Sequence, residues 1–282
     1  MKGPPRRARR WLLALGAAAL LFLLYGTLIE PAWIEVTRHD AEFEHLPPEF
    51  DGLVLAHLSD LHLHRYGGRE RRALALLGQA KPDLIAITGD FDLEDEERGP
   101  VRQFLLGLRA LKPTFGIWAV LGTHDHRNSD DVEGVRTFLT NAGVALLVNE
   151  WGRIGKGFDT LSVVGLDDAY TGRDNLGKAL DGLRRTPFAL LLTHSPEVFF
   201  KADLARFDLV LAGHTHGGQV RLPWIGALWL PPGSEFYDAG WFSGQSAKMY
   251  VTRGIGTSNL PIRFLCRPEI ALITLRRVAQ PN

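Results

Sequence analysis

Five short polar clusters carry most of the side chains in this sequence that can do chemistry: Ser59-Asp60-Leu61-His62, Gly89-Asp90, Gly122-Thr123-His124-Asp125, Thr193-His194 and Gly213-His214-Thr215-His216-Gly217. In extended backbone, residues two apart point the same way. Asp60 and His62 can therefore reach one cation together, and so can His214 and His216 from a bent loop. Glycines beside Asp90, His214 and His216 permit tight turns and a close approach of the backbone to an ion. The set combines carboxylate oxygen with imidazole nitrogen and has no thiolate. That mixture suits Mn²⁺, Fe, Zn²⁺ or Co²⁺ better than Ca²⁺ and excludes a cysteine-type structural zinc. Two such cations about 3.5–4 Å apart, bridged by one carboxylate, can activate water and neutralise phosphate oxygens while a histidine protonates the leaving oxygen. Singly, each residue has a plainer reading, such as a turn cap for Asp60 or a Gly-Asp turn for Asp90. Those readings would have to hold independently in every cluster, and the joint pattern favours a metal site.

Some framework must bring the clusters together. Apolar runs at 53–58, 84–88, 116–121, 145–148, 161–165, 188–193 and 209–212 read as strands. Residues 68–80, 101–111 and 130–142 read as helices, the last with Asp130 or Asp131 able to cap it. Short strands at 248–252 and 269–275 follow, among many Gly and Pro residues. Alternation of strands and helices indicates an α/β fold, and continuous apolar strands indicate a sheet covered on both faces. Ligands in such folds sit beyond the carboxyl ends of the strands. Each cluster follows a strand-like run, so all five are expected at one sheet edge.

The 282 residues suffice for one large domain, and 45% hydrophobic with 23% charged residues is a globular composition. Lys plus Arg equals Asp plus Glu at 32 each, so no basic field marks nucleic acid as a partner. The single cysteine, Cys266, cannot form an internal disulfide and is expected to be a buried small hydrophobe. Residues 1–10 form a basic flank with Lys2, Arg6, Arg7, Arg9 and Arg10 and no acid. Residues 11–29 form an apolar run that spans roughly 28 Å as a helix. Glu30-Pro31-Ala32-Trp33 offers no small-x-small cleavage site, so the run is expected to stay as a transmembrane anchor. The basic flank prefers the cytoplasm, which sends the rest of the chain to the outer face of a bacterial-type plasma membrane. Residues 30–51 read as a connector containing Pro47 and Pro48, and 52–278 as the folded domain.

In this order, and over roughly residues 50–276, the clusters resemble the motif blocks of the calcineurin-like metallophosphoesterases. The resemblance implies a four-layer αββα sandwich, two packed sheets with helices outside, and hydrolysis of a phosphate ester or pyrophosphate with two divalent metal ions. Carried over by position, it implies a first metal held by Asp60, His62, Asp90 and His216. A second would be held by Asp90, residue 123, His194 and His214, with Asp90 bridging. His124 would act as general acid or stabilise the transition state. One position departs from the pattern: Thr123 stands where the family has asparagine. A threonine hydroxyl is shorter and a poorer neutral ligand. The departure implies either a second metal bound more weakly with a water filling the gap, or a metal-binding scaffold of weakened catalysis.

Segments 213–223 (GHTHGGQVRLP) and 250–264 (YVTRGIGTSNLPIRF) resemble a membrane-associated branch of that family. Some related enzymes cleave the pyrophosphate of UDP-2,3-diacylglucosamine in lipid A synthesis, which implies a phosphorylated, lipid-linked substrate. That reaction belongs to the cytoplasmic face, opposite to the side expected from the basic flank. Trp224, Trp229, Phe236, Trp241 and Phe242 follow the last block. They are expected either to meet lipid or to close over a satellite core.

Overall fold

A computed structural model describes residues 6–93, 98–128, 131–201 and 204–278. Helix α1 (Arg6–Leu24) leads into strands and helices that alternate as β1 (Glu35–Phe43), β2 (Val54–Leu58), α2 (Gly68–Ala80), β3 (Leu84–Thr88), α3 (Gly99–Ala110), β4 (Ile117–Val120), α4 (Thr123–Asn128), α5 (Val132–Asn141) and β5 (Val144–Leu146). The chain continues through β6 (Glu150–Lys156), β7 (Asp159–Gly165), α6 (Leu176–Ala179), β8 (Ala189–Leu192), α7 (Val198–Lys201) and β9 (Leu209–Ala212). A small hairpin, β10 (Arg221–Leu222) and β11 (Gly226–Ala227), precedes β12 (Gly240–Ser243), β13 (Lys248–Val251) and β14 (Glu269–Arg277).

Two six-stranded sheets result, in the orders β1-β14-β2-β3-β4-β5 and β12-β13-β9-β8-β7-β6. Side-chain alternation explains how they stack. Leu55 packs between the sheets with Leu190, Leu192, Leu209 and Leu211. Its neighbours Ala56 and Leu58 turn the other way, to Leu77 of α2 and Leu105 and Leu108 of α3. On the second sheet, Leu191, Val210 and Met249 face outward and meet Ala179 and Val198 of the short helices α6 and α7. Three apolar cores therefore separate four layers, as the resemblance implied. Each buried leucine contributes about 1.5–3 kcal/mol to this stacking.

The expected elements occur within a few residues of their sequence-based limits. Asp131 caps α5, accepting the Gly134 N–H at 2.9 Å, while Asp130 lies outside the described residues. The segment expected as a connector at 30–51 contains strand β1, nine residues paired in parallel with β14. Its sequence, EVTRHDAEF, shows no apolar alternation, since β1 is a sheet-edge strand buried only toward its end.

The N-terminal helix stands apart from the cores. Arg9–Ala32 is, among the described residues, the one run long and apolar enough to cross a membrane. Trp11, Leu15 and Leu21 are exposed along it. At its end the chain tightens through a wide turn, Tyr25–Ile29, and a 3₁₀ turn, Glu30–Ala32. Glu30 is fully buried and accepts the N–H groups of Leu265 and Cys266, which fastens the helix to the domain.

Glu269 ties β1, β13 and β14 into one unit. Its carboxylate accepts Thr37 Oγ1 and Tyr250 OH at 2.7 Å each, and the Arg253 N–H at 3.0 Å. Burial opposes its ionisation, but the Arg253 guanidinium and these donors outweigh burial and hold its pKa at about 2, against 4.5 ordinarily. A depressed carboxyl pKa stabilises the fold above the unfolded value, and that stability is lost as pH falls through 4.5 toward 2. We expect Glu269→Gln to be less stable than wild type at neutral pH by about 3 kcal/mol. The difference should vanish by pH 2 in acid-unfolding curves followed by tryptophan fluorescence.

Candidate metal centre

All five clusters emerge from strand ends. Asp60 and His62 follow β2, Asp90 follows β3, and Thr123 and His124 open α4 just beyond β4. His194 follows β8, and His214 and His216 follow β9. The expectation of a single shared sheet edge is thus corrected: three clusters come from the first sheet and two from the second. Face-to-face packing sets the carboxyl ends of β2, β3 and β4 against those of β8 and β9, so the site lies across the seam.

The backbone at these positions is unusual. Asp60, His62, Asp90, His214 and His216 all have positive φ, between 42° and 69°. Non-glycine residues adopt that region rarely, and such strain concentrates where function requires it. Turning the chain sharply at a strand end aims the side chain back across the seam. Close packing adds to this. Gly89, with φ +89°, has no room for a β-carbon, which would lie 2.6 Å from the Gly122 nitrogen and 2.9 Å from His194 Nδ1.

Two groups of ligand-type atoms result. In the first, His62 Nε2 and His216 Nε2 face each other at 3.2 Å, and Asp60 Oδ1 lies 3.4 Å from His216 Nε2. In the second, His194 Nε2 and His214 Nδ1 face each other at 3.1 Å. Asp90 stands between them, with Oδ2 3.6 Å from His62 Nε2 and 3.4 Å from His194 Nε2. Its other oxygen accepts the His124 N–H at 2.8 Å. Thr123 Oγ1 is buried, has no hydrogen-bond partner among the described residues, and belongs to a residue lining the same cavity as Asp90 and His214.

The surrounding donors prepare these atoms. His194 Nδ1–H donates to the Thr88 carbonyl at 2.7 Å, and His62 Nδ1–H donates to Asp92 Oδ2 at 2.9 Å. Each bond commits Nδ1 as the protonated nitrogen and leaves the Nε2 lone pair pointing inward, as a metal ligand requires. Asp125 accepts N–H groups from Asp90, Phe91 and Gly122 at 2.9 Å each, locking the second and third clusters together. Imidazole pairs facing each other, carboxylates beside them and an orphaned buried hydroxyl fit divalent cations. Three overlapping groups of these side chains have ligand atoms close enough to hold one: Asp60 with His62 and His216, His62 with Asp90 and His124, and Asp60 with Asp90 and His194.

The electrostatics agree. Burial pushes the Asp60 carboxyl up. Burial acts the same way on Asp90, but His194 and then His62 outweigh it and hold that carboxyl well below the usual range. Burial disfavours a charged His194, yet Asp90 draws it well above the usual imidazole value. His216 is pushed well down by burial and by His62 and Arg263. The carboxylates demand positive charge at the seam.

His124 lines the cavity with His214 and His216 but is more exposed than His62, His194 and His216. Its side chain is about a quarter exposed, with Nδ1 3.7 Å from Asp92 Oδ1 and Nε2 3.4 Å from Ser258 Oγ. Asp92, buried and bonded to both His62 and His64, was missed in the sequence. Its signal was available, because it stands two residues after Asp90. Arg263 carried no such signal. It is fully buried and donates to the carbonyls of Arg253, Gly254, Gly256, Cys266 and His216. Cys266 is buried as expected, and burial raises its thiol pKa.

The aromatic residues after the last cluster divide. Trp241 and Phe242 pack on the cores, Trp229 lines the cavity beside the site, and Trp224 and Phe236 are exposed.

Residues 53–218 match the model of the family described as calcineurin-like phosphoesterase. The chain belongs to that family. As a calcineurin-like phosphoesterase it is a hydrolase of phosphoric esters, and its relatives agree. It is 33% identical to the uncharacterized metallophosphoesterase YkuE of Bacillus subtilis, over 89% of each chain. It is 32% identical to the phosphodiesterase YaeI of Escherichia coli, over 95% of this chain and 98% of that one. It is 31% identical to a zebrafish (Danio rerio) transmembrane protein with metallophosphoesterase domain, over 95% of this chain and 63% of that protein.

Proposed function

We propose that this phosphoesterase binds two divalent cations and cleaves a phosphate ester or anhydride carried by a lipid-linked molecule. Asp90 supports the two-cation reading best, with one carboxylate oxygen within 3.6 Å of an imidazole nitrogen from each group. One cation would be held by Asp60, His62, Asp90 and His216, the other by Asp90, Thr123, His194 and His214. Bound there, the cations supply positive charge against the phosphoryl oxygens and make water acidic enough to attack near neutral pH. The chain's own part is positional. Asp90 keeps the two groups in register, Asp92 and the Thr88 carbonyl fix the imidazole tautomers, and His124 stands at the cavity to protonate the leaving oxygen. The lipid-linked substrate is supported by the cavity walls. Leu228, Trp229, Leu260 and Ile262 line a space of about 390 Å³ beside Asp90 and His214. Helix α1 would anchor this site at the membrane, with the domain on the outer face because Arg6, Arg7, Arg9 and Arg10 precede the span.

Thr123 supports a second reading, a metal-binding scaffold of weakened catalysis. Turnover of a chromogenic phosphodiester by the full-length protein in added Mn²⁺ separates the two. We expect measurable turnover in the wild type, a drop of about a hundredfold in His124→Ala with metal content unchanged, and tighter retention of the second cation in Thr123→Asn. A silent wild type revived by Thr123→Asn would establish the scaffold. Loss of metal from His124→Ala would make that residue a ligand.

A further inference from the structure

The apolar helix and the metal site are joined by one strip of structure. Gly26, in the turn that ends the helical run, accepts the Arg263 N–H at 2.9 Å. The Phe264 ring lies 4.6 Å from Phe22 and 6.1 Å from Tyr25. Phe264 also bridges Val220, and its N–H and carbonyl bond Gln219 and Arg221, the base of the β10–β11 hairpin. The hairpin is therefore fixed to the surface against which the end of the apolar run is packed.

Length then decides where that surface stands. If Phe22 and everything after it lay in water, only residues 11–21 would remain to cross the bilayer. They extend roughly 16 Å as a helix, against a hydrocarbon layer of roughly 30 Å. An anchor that spans must therefore bring Phe22 and Tyr25, and with them Phe264, down to the apolar layer. The surface around Phe264 is dressed for this. Trp224 is 103% exposed at the hairpin tip, with Ile225 at 70%, Leu260 at 66% and Leu265 at 52%. Exposed apolar side chains grouped in this way mark a contact surface. Arg267 lies 3.6 Å over the Trp33 ring, an Arg–Trp pair suited to the headgroup level.

We propose that the β10–β11 hairpin and residues 260–265 form a second membrane contact, dipping into the same bilayer that α1 enters. Leu228, Leu260 and Ile262 belong both to this strip and to the cavity wall. The mouth of the cavity then opens at the lipid headgroups, where a phosphate on a lipid reaches the metal centre without leaving the bilayer. This rests on α1 as a spanning anchor and not on the number or identity of the cations.

The test uses nitroxide labels on the full-length protein in phosphatidylcholine–phosphatidylglycerol vesicles, with collision rates read against oxygen and a water-soluble nickel chelate. Leu15→Cys reports the anchor, and Ile225→Cys and Leu265→Cys report the strip. Phe158→Cys, in the turn before β7 and at the opposite strand ends, reports water. We expect loss of chelate collisions at 15, 225 and 265 and full chelate access at 158. Chelate access at 225 and 265 with protection at 15 overturns the second contact while the anchor stands. Chelate access at 15 overturns the anchor and the contact with it. Labels at 225 and 265 that meet neither collider, and move slowly, place a protein on this face and overturn the lipid assignment.

Discussion

Asp90→Asn is expected to lower kcat/KM for a phosphodiester by about a thousandfold or more and to strip both cations from the protein. The substitution keeps the size of the side chain and an oxygen to accept the His124 N–H, so α4 has no steric reason to move. What it removes is the negative charge shared between the His62–His216 and His194–His214 groups. Each group then has one carboxylate fewer, and in a buried site that charge has no substitute from solvent. Elemental analysis is the decisive readout. Thr123→Ala should disturb only the second cation, because the proposed arrangement gives Thr123 to that cation alone. Equal metal content in the two variants would sink the bridging role, whatever the activity shows.

Arg263→Met should reduce stability by about 3–5 kcal/mol, read as a lower denaturation midpoint in detergent. Methionine is close to arginine in volume, although its side chain ends at the position of Nε, so the loss falls mainly on polar satisfaction and less on packing. The guanidinium donates to carbonyls on three separate stretches: His216 after β9, Arg253, Gly254 and Gly256 after β13, and Cys266 before β14. With methionine these carbonyls all lose the guanidinium, although the His216 carbonyl keeps the Gln219 N–H at 3.1 Å and that of Gly254 keeps the Glu269 N–H at 2.9 Å. One of them belongs to His216, so its imidazole should lose its alignment toward Asp60 and His62. Metal titration of folded variant should show the first cation weakened more than the second. Arg263→Lys retains the charge and three donors and is expected to recover part of both losses. Equal weakening of the two cations would place Arg263 in the fold alone.

How much of this was legible beforehand depended on the range of the interactions. Asp60 with His62 and His214 with His216 were readable because spacing by two is a local property of extended backbone. Strands such as Leu84–Thr88 and Leu209–Ala212 were readable because their runs are apolar and bounded by turn residues. Strand β1 was not, since Glu35–Phe43 gains its place from β14 at the other end of the chain. The division of the clusters between two sheets was hidden for the same reason. Arg263 was hidden because its partners are backbone carbonyls, which every sequence has. Asp92 was within reach of the same period-two reasoning that found Asp60 and His62.

The position of β14 has a consequence for biosynthesis. It lies between β1 and β2, antiparallel to β2 and parallel to β1, although it is made after every other described strand. While the polypeptide is emerging, β1 has no neighbour and the open edge of β2 is unsatisfied, an arrangement prone to mispairing. An α1 already inserted would hold β1 at the membrane surface through this interval, waiting for its partner. A translation product broken off before Glu269 would leave that slot open for good, and proteases would meet an exposed strand edge and not a near-finished hydrolase.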